Sequence, residues 1–196
     1  MKDFTCSKRF FKLMKRFNVP KKYWKKAHKL YKKVNLDIDK GIYPTEYLKE
    51  LFAKELKIQL PEQPSMLEEF VNLFKPNIPM HALVKLTACK TPVGLLTNMH
   101  IGMLDLIKKR QLIPNIRWKT VVDSSKLGTA KPEKKIFEIA IKKAKFPASE
   151  ILFVDNKQEN IEVAQELGMQ TYLYDSCHYN KSAKDFYRRG VANKLF

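Results

Sequence analysis

The 196 residues leave room for one compact domain, or a domain with a modest lobe, and a hydrophobic share of 44% is enough to fill a core. No apolar run reaches the roughly eighteen residues of a membrane span, and residues 1–6 lack the apolar stretch of a secretory signal. The net charge of +18 is concentrated: residues 1–40 hold fourteen Lys/Arg against three Asp/Glu. That excess is expected to form a solvated lysine-rich helix face, or else a surface for an anionic partner such as nucleic acid.

Residues 7–89 read as helix after helix. Phe10, Phe11, Met14 and Phe17 recur near i, i+3, i+4 and i+7 until Pro20 interrupts them. A second helix is expected from Lys21 to Val34, with Trp24, Ala27, His28 and Tyr31 on one side. The aromatic spacing suits the apolar side of amphipathic helices better than a base-stacking platform. Thr45 is a candidate cap for a third helix carrying Tyr47, Leu48, Leu51, Phe52 and Leu56. Pro61 and Pro64 mark a loop, and Ser65 with Glu68 resembles a capping box for a fourth helix. Pro76 and Pro79 precede a short helix over 80–88.

From about residue 90 the pattern alternates. Short apolar runs at 93–97, 119–123, 151–155 and 170–174 read as buried strands, separated by helical segments at 100–111, 132–145 and 158–167. Gly168 is a natural stop for the last of these. Alternating strand and helix at this spacing predicts an α/β fold with a parallel sheet. Residues 176–196 are expected to form a final helix and a basic tail. Cys6, Cys89 and Cys177 are odd in number and far apart, which argues against a disulfide framework or zinc cluster and suits a reducing cytoplasm.

In an open parallel sheet, ligands gather beyond the carboxyl ends of the strands. Thr97 and Asn98 stand at one such end, a hydroxyl and an amide suited to phosphate oxygens. Asp155 and Asn156 stand at another, with oxygens suited to Mg²⁺. Between them Lys131 precedes Pro132 at a helix start, where an ammonium would offset charge on a transferring phosphoryl group. Each feature alone has a plainer reading: an N-cap, a loop lysine, an Asx turn. Their order and shared position at strand ends favour the functional one. His28, His81, His100 and His178 show no metal-ligand spacing. Asp123, Ser124 and Ser125 are expected as pocket rim or caps.

These features together resemble the haloacid-dehalogenase-like (HAD) superfamily with an early helical cap. Residues 94–98 (GLLTN) are similar to its second motif, 124–133 (SSKLGTAKPE) to its third, and 151–160 (ILFVDNKQEN), continuing to Ala164 and Gly168, to its fourth. The resemblance implies a Rossmann-like parallel sheet with helices on both faces: a helical cap at 7–78, an α/β core at 79–196, and a remnant of the first motif at 1–6. It implies a Mg²⁺-dependent hydrolase, a phosphatase acting on a small phosphorylated metabolite. Thr97, Asn98 and Lys131 would hold the phosphoryl oxygens, Asp155 and Asn156 the metal, and Asn160 would brace the fourth motif.

Two departures qualify that expectation. In the superfamily the first motif reads Asp-x-Asp-x-Thr after a central strand. Here Asp3 matches the acid/base position and Thr5 the threonine, while Met1 takes the nucleophile's place. The chain is therefore expected to begin after the nucleophile strand, to lack that central strand and, as it stands, not to complete the usual catalytic cycle. Asn156 also replaces the usual second carboxylate, which weakens the expected Mg²⁺ site. A dehalogenase is less expected, since no arginine-based halide site is evident in the cap. The alternative is a non-catalytic HAD-like binding protein that engages anionic partners through its basic N-terminal helices.

Overall fold

The structure, a computed structural model, describes residues 7–192. The remnant of the first motif at 1–6, with Asp3, and the last four residues of the basic tail lie outside that range.

Helix α1 (Ser7–Arg16) turns Phe10, Leu13 and Met14 inward, and Phe17 follows them into the core, as the spacing predicts. The second helix starts later than expected. Lys21–Tyr23 forms a single 3₁₀ turn, and α2 runs from Trp24 to Asp39, burying Ala27, Tyr31 and Ile38. The aromatic residues lie on the inner side: Phe10 stacks on Tyr31 at 5.1 Å and Phe11 on Trp24 at 5.5 Å. Lys25, Lys29, Lys32 and Lys33 lie on the exposed side of α2.

Helix α3 (Tyr47–Leu56) buries Leu48, Phe52 and Leu56, but Thr45 is not its cap. The N-cap position falls on Glu46, and the Thr45 hydroxyl instead lies 3.0 Å from Nδ1 of His100. Both residues are buried, and a buried hydroxyl must find a partner wherever the fold brings one. Ser65 does cap α4 (Met66–Asn72), accepting from the Glu68 N–H at 3.3 Å. Glu46 of the preceding segment accepts from Ser65 Oγ and from the Leu67 N–H, tying the two helices. Asn77 caps α5 (Ile78–Ala88).

The alternating half follows as β1 (Gly94–Thr97), α6 (Met103–Lys109), β2 (Thr120–Asp123), α7 (Lys134–Ala144), β3 (Leu152–Asp155), α8 (Gln158–Glu166), β4 (Gln170–Leu173) and α9 (Tyr179–Ala192). All four strands lie where the apolar runs predict them. They pair as two separate parallel ladders, β1 with β2 and β3 with β4. Among the described residues no strand pairs with the remaining edge of β1 or of β3.

Three apolar clusters hold these layers. The largest runs from α1–α4 into α6, taking in Met99 and Ile107, with Leu95 and Val121 packed against it. On the other side of the ladders Val122, Phe137, Phe153 and Ile161 form one cluster that joins both. The third sets Leu83 of α5 against Ala183 and Phe186 of α9. Helices therefore cover both sides of the ladders, as a doubly wound α/β fold requires.

The helical layer also meets the sheet layer closely where residues 39–41 reach Ser124 and Ser125. Ser124 Oγ donates to the carbonyl of Asp39, and Gly41 (φ +75°) lies so near Ser125 that a Cβ would stand 2.0 Å from its carbonyl oxygen. Only glycine meets both demands, a left-handed φ and no side chain.

Candidate functional site

The carboxyl ends of β1 and β3 open on a cavity of about 690 Å³. Thr97, Asn98, Lys131, Asp155, Asn156 and Asn160 all line it. The structure thus brings together every site residue singled out in the sequence, apart from Asp3, which lies outside the described residues.

Lys131 is the centre of the cluster. Its ammonium donates to Asp155 Oδ2 at 2.6 Å and to the Leu96 carbonyl at 3.1 Å, and it lies 5.5 Å from the centre of the Phe153 ring. Both side chains of the Lys131–Asp155 pair are nearly closed off, at 11% and 8% exposure. The Asp155 carboxyl feels burial pulling its pKa up, but the Lys131 charge and hydrogen bond, the Lys157 N–H and the Asn160 amide together hold it below the usual carboxylate value.

Asn98 has a different part from the one expected. Its amide nitrogen donates to the Lys131 carbonyl at 2.9 Å and its amide oxygen accepts from the Lys131 N–H at 2.8 Å. This two-point clasp fixes the Lys131 backbone across 33 positions of sequence, so Asn98 positions the lysine. The Thr97 hydroxyl, by contrast, makes one contact at the outer limit of a hydrogen bond, 3.5 Å to the Asn98 carbonyl. It is well placed to turn toward a ligand.

Beside this cluster is a histidine whose place in the sequence, near the second motif, carried no ligand spacing. His100 is buried, 3.0 Å from Thr45 Oγ1, with its ring edge against Phe70 at 5.3 Å. Its Nε2 lies 3.6 Å from Asp39 Oδ1, beyond hydrogen-bond reach. Burial therefore wins over the attraction of Asp39, and the imidazole is held neutral with its pKa pushed down to about 3. The Asp123 carboxylate accepts from the N–H and hydroxyl of Ser125, the capping role expected of it.

Among the described residues the donor set does not suit a magnesium ion. Mg²⁺ takes near-octahedral oxygens and one or two carboxylates. Asp155 is the single carboxylate among Asp155, Asn156 and Asn160, and both of its oxygens are engaged, one by Lys131 and one by the Lys157 N–H. Asn156 is exposed and neutral. The buried Asn160 Oδ1 has no hydrogen-bond partner and is left open to a cation or a water. Among the described residues no group of three His, Cys, Asp or Glu side chains is arranged to hold a metal.

No family model matches the sequence, and no curated protein matches it. Solved structures do. The chain is similar to a HAD-family enzyme from Bacteroides thetaiotaomicron at TM-score 0.67 and 21% identity, over 90% of this chain and 87% of that one. It is similar to a predicted HAD-like hydrolase from Porphyromonas gingivalis at TM-score 0.71 and 18% identity, over 92% and 90%. An L-2-haloacid dehalogenase matches at TM-score 0.55 and 17% identity, over 84% and 78%. At these identities the likeness is one of fold, and the chain has the fold of the HAD-like hydrolases. The Bacteroides enzyme has been crystallised with magnesium and with magnesium and inorganic phosphate.

Proposed function

We propose that this protein is a HAD-like hydrolase whose strand-end cavity takes the phosphoryl group of a small phosphorylated metabolite. The observation that carries the reading is the Lys131 ammonium, held almost out of solvent at the carboxyl ends of two parallel ladders with the Thr97 hydroxyl lining the same cavity. A fixed cation in a low-dielectric site stabilises charge on phosphoryl oxygens more strongly than a solvated one. Ammonium has three donor protons, and Leu96 and Asp155 take two of them, which leaves one for a ligand. The phosphate complex of the Bacteroides enzyme supports the same ligand chemistry.

In this reading Thr97 and Lys131 hold phosphoryl oxygens, Asn98 sets the lysine backbone, and Asn160 with the Lys157 N–H fixes the Asp155 loop. The helices of 7–78 act as the cap over the site, and the protein works in the cytoplasm. The test is a panel of small phosphate monoesters together with calorimetric titration of inorganic phosphate. Lys131→Ala and Thr97→Ala are each expected to lose turnover and to bind phosphate at least about tenfold more weakly, the loss of one charge-assisted hydrogen bond, with circular dichroism unchanged in both and a lower melting temperature in Lys131→Ala, which leaves the buried Asp155 carboxylate unpaired. Turnover and binding equal to the parent in both variants would sink the assignment.

A further inference from the structure

We infer that Asp155 serves here as the counter-ion of Lys131 and that the site takes its phosphoryl ligand without a divalent cation. The inference rests on the proposed phosphate site and gives its electrostatics.

Lys131 Nζ stands 2.6 Å from Asp155 Oδ2, where a metal would have to bind that oxygen. Mg²⁺ sits about 2.1 Å from its ligands, so a cation on Oδ2 would lie against the ammonium. Two positive groups would then share one carboxylate in a poorly solvated place, and the repulsion is strong because little water screens it. The other oxygen is turned to the Lys157 N–H at 2.9 Å. Asn156 adds no charge, and the Asn160 amide already donates to Asp155. Among the described residues, one shared carboxylate and two neutral amides leave the ammonium as the positive group best placed to meet a phosphate.

A consequence of sign follows. If Asp155 is a counter-ion, it competes with the incoming anion for Lys131, and removing its charge strengthens anion binding. If Asp155 is a metal ligand, removing its charge loses the metal and weakens binding. Asp155→Asn keeps the shape and keeps an oxygen for the Lys157 N–H, so it separates the two cases.

The experiment is calorimetric titration of inorganic phosphate into the full chain, in chelator and again in excess Mg²⁺, for the parent and for Asp155→Asn. The parent alone already tests the metal dependence, so the result does not hang on the variant folding. The inference expects the same parent affinity, within about twofold, with and without Mg²⁺. It expects Asp155→Asn to bind phosphate at least about tenfold more tightly in chelator, the shift that roughly 1.4 kcal/mol gives. Mn²⁺ added to the phosphate-free parent should give no bound spectrum by electron paramagnetic resonance at millimolar metal. Phosphate binding that needs Mg²⁺, or that weakens in Asp155→Asn, overturns the inference and leaves the phosphate site standing. No phosphate binding by either protein in either buffer overturns the phosphate site itself.

Discussion

His100 shows how one buried side chain can set the acid limit of the fold. In the folded chain its imidazole is neutral down to about pH 3, because burial opposes the charge. In the unfolded chain it takes a proton near its ordinary value of 6.5. Between those values the unfolded state binds more protons, so stability rises with pH across the window. The stabilisation is fully present above pH 6.5 and is lost as the pH falls toward 3. At about 1.4 kcal/mol per unit it amounts to several kcal/mol over the whole range. Asp155, held below its usual value, adds its own loss only below about pH 4. Glu133, held below its ordinary 4.5 by Lys40, begins to add its own loss near that value, so melting measured between about pH 5.5 and 7 reads mainly the histidine. The melting temperature of the parent is expected to fall steadily as the pH is lowered through that range, and His100→Gln is expected to flatten the slope. Parallel curves for the two would refute the assignment. The residues of the site were legible in the sequence because strand ends and helix starts are legible: Thr97 and Asp155 close apolar runs, and Lys131 precedes Pro132 at a helix start. Their partners were not. Asn98 reaches a backbone 33 positions away and Thr45 a histidine 55 positions away, and in each case the local signal was an ordinary helix cap.

At the scale of elements, hydrophobic period gave the strands and helices to within a few residues, and the departures have local causes. Pro20 leads into a 3₁₀ turn before α2, and Thr45 gives up its capping place to a longer-range bond. The pairing of the strands was less legible, since period fixes which residues are buried but not which edges meet. The hydrogen bonds that flank the ladders settle the orientation. Val93 and Ile151 turn their carbonyls toward β2 and β4, to Lys119 and Gln170, and Asp155 turns its own toward Tyr174. Alternation along a strand then points the backbone groups of Leu96, Leu152 and Val154 the other way, into the cavity. The bond from Lys131 to the Leu96 carbonyl agrees. Amide hydrogen exchange checks this directly: Leu96, Leu152 and Val154 are expected to exchange at least about tenfold faster than Leu95 and Phe153, whose N–H groups face a paired strand. Equal protection along both strands would mean that the inner edges are paired as well.

At the scale of the whole molecule, charge and volume are distributed unevenly. The lysines of α1 and α2 lie on the exposed side of a helical layer whose aromatic side faces inward. Among the described residues no helix is long and apolar enough to cross a membrane. The cavity of about 690 Å³ runs the length of β1 and β3, from Gly94 and Leu152 to Thr97 and Asp155. Space of that kind has a volumetric consequence. Compression favours the smaller state, but a cleft that water can enter gives up little volume on unfolding, so a ligand that displaces that water is expected to change how this protein answers hydrostatic pressure. High-pressure fluorescence of Trp24 and Trp118 would follow the transition, and a ligand that fills the space between the ladders would move the midpoint to higher pressure.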